Sequence, residues 1–166
     1  MRVIVLGSGA GGGFPQWNCN CENCRLAWAN DPRVRARTQS SLAISADGAR
    51  WLLLNASPDL RQQIIATPAL HPNGAPRQSP IAAVFLTNGD VDHLTGLLTM
   101  REQQSFTLYG STATLAQARD GVFGVLNRDL VQRVEVVLGA RVDTELGFTI
   151  ETFAAAEDLP GHGAAI

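Results

Sequence analysis

Residues 81–96, Ile81-Ala82-Ala83-Val84-Phe85-Leu86-Thr87-Asn88-Gly89-Asp90-Val91-Asp92-His93-Leu94-Thr95-Gly96, decide how this chain is read. The apolar run Ile81 to Leu86 is continuous rather than alternating, which predicts a strand buried on both faces. Asn88-Gly89 is a turn pair and ends it. Leu94, Leu97 and Leu98 then fall on one helical face, so a helix opens where the strand stops. Two carboxylates and an imidazole, Asp90, Asp92 and His93, crowd that junction. Polar groups fixed at the exit of a buried strand stand at a rigid, partly dry edge, where a metal or substrate can be gripped. The plainer account is local: Asp92 caps the helix, and Asp90 is a solvated loop charge. Spacing alone favours the plainer account.

Upstream, Arg2 to Leu6 is short and rich in β-branched residues, a first strand. Gly7-Ser8-Gly9-Ala10-Gly11-Gly12 follows and satisfies the G-x-G-x-x-G dinucleotide pattern. That pattern needs a helix opening at the glycines, its N-terminus facing the pyrophosphate. Gly13-Phe14-Pro15 stands there, and Pro15 interrupts an early helix. The acidic strand end expected about 20 positions further on is also missing; Asp31-Pro32 is nearest and sits in a turn. The nucleotide reading is therefore rejected.

All three cysteines cluster as Cys19, Cys21 and Cys24. Three thiols cannot all pair off, and Cys-x-Cys-x-x-Cys brings three sulfurs within reach of one tetrahedral zinc. Such a site is structural, stapling a glycine-rich loop that has little core of its own. Three reduced thiols are the simpler alternative. The fourth ligand is open: His93 is wanted elsewhere, and His71 and His162 are the other histidines.

Next, Arg25 to Ala29 forms a short helix, and Arg33, Arg35 and Arg37 form a solvated basic strip, with an anionic-substrate contact as the second choice. Thr38 to Ala46 and Arg50 to Leu54 make a hairpin turning at Asp47-Gly48. A helix then starts with Ser57 as cap, Pro58 in first position and Asp59 favourable to the dipole, turning Leu60, Ile64 and Ile65 inward. Asn55 and Ser57 are candidates to line a pocket; His71 is read as a surface residue. Downstream, Ser105 to Tyr109 is a strand, and Ser111 to Leu126 a helix with Leu115, Ala118, Val122 and Leu126 on one stripe, weakened by Gly121 and Gly124. Val134 to Leu138 and Phe148 to Phe153 are further strands. The tail from Ala154 to Ile166, rich in alanine and glycine, is expected to be poorly ordered.

A chain of 166 residues suffices for one domain with a real core. With a net charge of −2 and a pI of about 5.9, nothing points to nucleic acid. No apolar run nears the ~20 residues that span a bilayer, and none predicts membrane insertion. The run from Met1 to Leu6 is too short for a secretory signal, so the expected location is cytoplasmic.

Four segments together resemble a known family: Gly7 to Cys19, the cysteine triplet, Asn55-Ala56-Ser57-Pro58-Asp59-Leu60-Arg61, and Thr87 to His93. The last is similar to the metal loop of the metallo-β-lactamase fold, Thr-His-x-His-x-Asp-His. Asp92 and His93 fall on that loop's Asp and last His, while Asn88 and Asp90 stand in place of its first two histidines. The combination resembles the pyrroloquinoline quinone (PQQ) biosynthesis protein B family. The resemblance implies an α/β fold, an αββα sandwich of which this chain carries the N-terminal half. It implies structural Zn2+ at Cys19, Cys21 and Cys24. It also implies an active-site metal held partly by Asp92 and His93, with Asp90 and Asn88 nearby. That mixed oxygen and nitrogen set suits Fe2+ as well as Zn2+. The implied activity is iron-dependent hydroxylation, with O2, of the tyrosine ring in a glutamate–tyrosine unit cut from a precursor peptide. Asp90, Asp92 and His93 are then the catalytic residues, and other PQQ-pathway proteins are the expected partners. Because the family's chains are much longer, the expectation is a single metallo-β-lactamase-like domain over 1–166, truncated, with too few protein ligands for its metal and one sheet face uncovered.

Two other functions compete. One is a non-catalytic carrier that assists transport of PQQ or its precursor to the periplasm, its anionic cargo matched by Arg33, Arg35 and Arg37. The other is a zinc phosphodiesterase of the same fold, weakened by Asn88 and Asp90.

Overall fold

The computed structural model describes residues 1–102 and 104–153. Its elements, in order, are β1 (Arg2–Gly7), α1 (Glu22–Trp28), β2 (Ser41–Ser45), β3 (Trp51–Leu54), α2 (Leu60–Ala66), β4 (Ile81–Phe85), α3 (Val91–Leu94), β5 (Phe106–Gly110), α4 (Thr112–Gln117), β6 (Val131–Glu135), β7 (Arg141–Asp143) and β8 (Thr149–Glu151). Strands β1 to β6 form one mixed sheet in sequence order. The pairs β1/β2 and β2/β3 are antiparallel, whereas β3 through β6 run parallel. Parallel neighbours need crossovers, and α2, α3 and α4 with their flanking 3₁₀ turns supply them.

Side-chain alternation gives this sheet two apolar faces. On the helical side, Trp51, Leu53, Val84, Phe106 and Leu108 pack with Leu60, Leu94, Leu97 and Leu126. Each such side chain, fully withdrawn from water, stabilises the fold by about 1.5–3 kcal/mol. On the other side, Leu52, Ala83, Phe85, Tyr109 and Val136 pack with Leu146, Phe148 and Ile150. That second face is therefore partly covered, by the β7–β8 hairpin and its turn, and remains open toward β1, where Val3 and Val5 are exposed. The expectation of one uncovered face holds only at that edge.

Several sequence expectations need correction. The helix after the hairpin starts at Leu60, not at Pro58, and Ser57 does not cap it; its Oγ is buried with no hydrogen-bond partner. Asp59, at the N-cap, turns its carboxylate to Gln39. Ile65, expected inside, is exposed. The helix expected from Ser111 to Leu126 stops at Gln117. Gly121 has φ +61, which no helix allows, and a 3₁₀ turn over Gly121–Val125 leaves Val122 exposed. The sixth strand begins earlier than Val134, because Val131 pairs with Phe106 and fills the core. Val137 and Leu138 lie beyond the strand and are exposed. The hydrophobic run misled there. β7 went unread in the sequence. The segment from Ala154 to Ile166, including His162, lies outside the described residues.

Candidate metal centre

The parallel strands end side by side, and the polar segments that follow them gather at their carboxyl edge, where α/β sheets bind ligands. Asn55 follows β3 with φ +62, a left-handed conformation that asparagine tolerates better than most residues. Its buried Oδ1 accepts from the backbone N–H of Thr87 at 2.9 Å and from Thr87 Oγ1 at 3.0 Å, tying the end of β3 to the end of β4. Asn88 Oδ1 accepts from Asp90 N–H at 3.1 Å and tightens the turn. α3 then opens with Asp90 at its N-cap, and no side chain caps it. The capping account of this motif does not survive.

Asp90, Asp92 and His93 bring donor atoms within 4.8 Å of one another, all three side chains half-buried. Nδ1 of His93 lies 3.3 Å from Oδ1 of Asp92, and side-chain exposures are 15% and 13%. Nδ1 is buried and makes no hydrogen bond. Two ligands about 2.1 Å from one ion at a tetrahedral angle stand about 3.4 Å apart, so the spacing is that of neighbouring ligands. An unpartnered buried nitrogen beside two carboxylates fits a divalent cation by geometry and by charge.

The backbone of His93 is secured separately from its ring. Ala56 N–H donates to His93 O at 2.7 Å, and Gly96 N–H donates to Ala56 O at 2.8 Å. This approach is so close that a Cβ on Gly96 would stand 2.2 Å from the Ser57 carbonyl oxygen. The glycine-rich loop forms the opposite wall: a methyl group at Gly11 would lie 3.4 Å from Asp92 Oδ2. Sequence reasoning found the three donors and missed this wall, which it had assigned to the cysteine staple.

The second cluster is Cys19, Cys21 and Cys24, whose sulfurs also lie within 4.8 Å of one another. All are free thiols. The backbone of Cys24, followed by hydrogen bonds from the Cys19 and Cys24 side chains, holds the Cys21 thiol below its ordinary range. Cys24 is pulled down by the Gln16 backbone, but burial, hydrogen bonds to Cys19 and Cys21 and the charge of Cys19 together push it up. Three sulfurs that compete for protons in this way fit a shared cation, which would favour all three thiolates. No fourth ligand joins them among the described residues.

The basic strip is largely committed to local contacts. Arg33 forms a two-point pair with Asp31 at 2.9 Å, and Arg37 donates to Ser8 Oγ at 3.0 Å. His71, exposed as expected, turns Nε2 to the carbonyls of Ile64 and Ile65 at the end of α2.

Residues 50–164 match the family model described as the beta-lactamase superfamily domain. The chain belongs to the β-lactamase superfamily. Within it, the chain is 56% identical over 161 residues to a coenzyme PQQ synthesis protein B from Methylorubrum populi, an alignment covering 96% of this chain and 54% of that protein. A crystal structure of Zn2+-bound PqqB from Methylobacterium extorquens superposes with a TM-score of 0.90 at 57% identity, over 93% of this chain and 56% of that one. A diphosphatase of the PhnP family follows with a TM-score of 0.67 at 25% identity, over 86% of this chain and 52% of its own. The chain thus spans about half the length of the curated relatives it matches. The metallo-β-lactamase fold expected from the sequence is confirmed, as is the resemblance to PQQ synthesis protein B. No helix among the described residues is long and apolar enough to cross a membrane.

Proposed function

We propose that this chain serves PQQ biosynthesis in the cytoplasm, and that Asp90, Asp92 and His93 hold Fe2+ for O2-dependent hydroxylation of the precursor's tyrosine ring. The observation that carries the metal assignment is the buried, unpartnered Nδ1 of His93 beside Asp92. The similarity to PQQ synthesis protein B supplies the pathway. Iron, when bound, supplies the one-electron chemistry with O2 that side chains lack. The protein's own part is geometric. The Asn55–Thr87 bonds fix the strand ends, the His93 backbone is clamped to Ala56, and the glycine loop limits solvent access to Asp92. Cys19, Cys21 and Cys24 would take structural Zn2+. We assign residues 1–166 to one metallo-β-lactamase-like domain.

The test is anaerobic loading with Fe2+, then O2 and a glutamate–tyrosine peptide, with ring hydroxylation followed by mass spectrometry. Turnover that disappears in Asp92→Ala supports the oxygenase. Tight PQQ binding that persists in Asp92→Ala and His93→Ala, without turnover, overturns it in favour of the carrier. The hydrolase reading draws on the PhnP-family similarity, and phosphodiester turnover with Zn2+ or Mn2+ would establish it. Asn88 and Asp90, where the two-zinc hydrolases carry histidines, argue against that outcome.

A further inference from the structure

The glycine loop beside Asp92 has no core of its own: Gly11 and Gly12 are exposed. A chain of hydrogen bonds, most of them half-buried, holds it in place. Gly12 N–H donates to Gln39 Oε1 at 3.0 Å. Gln39 donates from its backbone N–H and from Nε2 to Asp59 Oδ2, at 2.9 and 3.1 Å. Gln63 Nε2 donates to the Gln39 carbonyl at 2.8 Å and to Thr38 Oγ1 at 3.1 Å. Gln39 is 8% exposed and Gln63 1%. At the foot of the loop, a Cβ on Gly7 would stand 2.1 Å from the Gln39 carbonyl oxygen, so the two backbones touch. The Gln39 amide is bonded on both sides, whereas Gln63 bonds through Nε2 alone and its Oε1 is buried without a partner. A buried amide is costly to leave half-satisfied, which holds Gln39 to one arrangement.

We propose that Gln39, oriented by Asp59, is a positioning residue for the Asp90–Asp92–His93 metal site, holding Gly12 by its N–H and so keeping Gly11 beside the Asp92 carboxylate. The proposal rests on the metal reading of that cluster. Neither Gln39 nor Asp59 supplies a ligand here; they act through the loop. With the loop released, Asp92 gains freedom that ligation must then remove, and water reaches its carboxylate. Partners beyond the ligands commonly tune metal affinity in this way.

Cobalt titration of the whole chain, with the cysteine site first filled by Zn2+, reads the carboxylate–imidazole site through its weak visible bands. A parallel titration of metal-free protein reads the cysteine site through its intense near-ultraviolet thiolate charge-transfer band. Gln39→Ala and Asp59→Ala are expected to weaken the visible-band site about 10-fold or more. The thiolate band and a cooperative melt should persist, showing that the fold stands, at a midpoint lowered by the hydrogen bonds lost. Asp59→Asn keeps an acceptor oxygen and should restore most of the affinity. If both alanine variants bind within about twofold of the parent while Asp92→Ala abolishes the visible bands, the positioning role is wrong and the metal reading stands. If Asp92→Ala and His93→Ala leave the visible bands intact, the metal reading falls and the proposal with it. Should Asp59→Ala not fold, Gln39→Met decides, since it keeps the volume and removes both polar contacts.

Discussion

Nδ1 of His93 faces Oδ1 of Asp92 across 3.3 Å without forming a hydrogen bond, in a site where both side chains are mostly withdrawn from water. A buried donor or acceptor left unsatisfied costs about 1–3 kcal/mol, so apo protein carries a penalty here that a bound cation removes.

Fe2+ or Zn2+ should therefore raise the melting midpoint, and Asp92→Ala or His93→Ala should abolish the part of that rise due to this site. Differential scanning fluorimetry with and without metal checks this. Equal stabilisation of parent and both variants would place the bound metal elsewhere.

In metal-free protein, Cys21 should alkylate before Cys24, because Cys21 is held below its ordinary range and exposed whereas Cys24 is pushed up and buried. Peptide mapping after brief iodoacetamide treatment gives the order. Zn2+ should protect all three cysteines; labelling of Cys24 first would contradict the arrangement.

Asp47 closes the β2–β3 turn. Its Oδ1 accepts from Arg50 N–H at 2.9 Å, Ala49 N–H at 2.7 Å and Ser45 Oγ at 3.0 Å, and these bonds lower its pKa from 3.8 to about 2. A depressed carboxyl contributes stability that is present above its unfolded value, and that contribution disappears as pH falls through the folded one. The melting midpoint should thus fall more steeply between about pH 4 and pH 2 in the parent than in Asp47→Asn, which cannot titrate. Parallel curves would refute the assignment.

Gly96→Ala should destabilise the fold by about 1–3 kcal/mol, because its new carbon meets backbone that cannot swing away. Leu108→Ala, deep in the helical-side core, should cost about 2–5 kcal/mol while sparing the metal site. Urea titration monitored by tryptophan fluorescence measures both. Loss of metal affinity in Gly96→Ala alone would tie the defect to the clamp at His93.

How much was legible followed the reach of the interactions. Ile81 to Leu86 and the break at Asn88-Gly89 could be read because strand burial and turn chemistry are local. The cysteine triplet was legible from spacing. Gln39 was not: it falls within the strand read over Thr38 to Ala46, but nothing local shows that its amide reaches Asp59, 20 positions away. The same distant bond takes up the carboxylate of Asp59, which keeps its place at the helix start. The over-long helix from Ser111 failed at Gly121, where a left-handed backbone prevailed over a plausible apolar stripe. Val137 and Leu138 misplaced the sixth strand because hydrophobicity alone does not say where pairing with β5 ends.

The grip of Ala56 on the carbonyl of His93 depends on no atom of the imidazole. Architecture and reactivity are thereby separable at this point: the ring can be exchanged for another donor while the surrounding frame stays put. A scaffold built like that is a socket, ready to be refitted for a different ion by swapping only what projects from it.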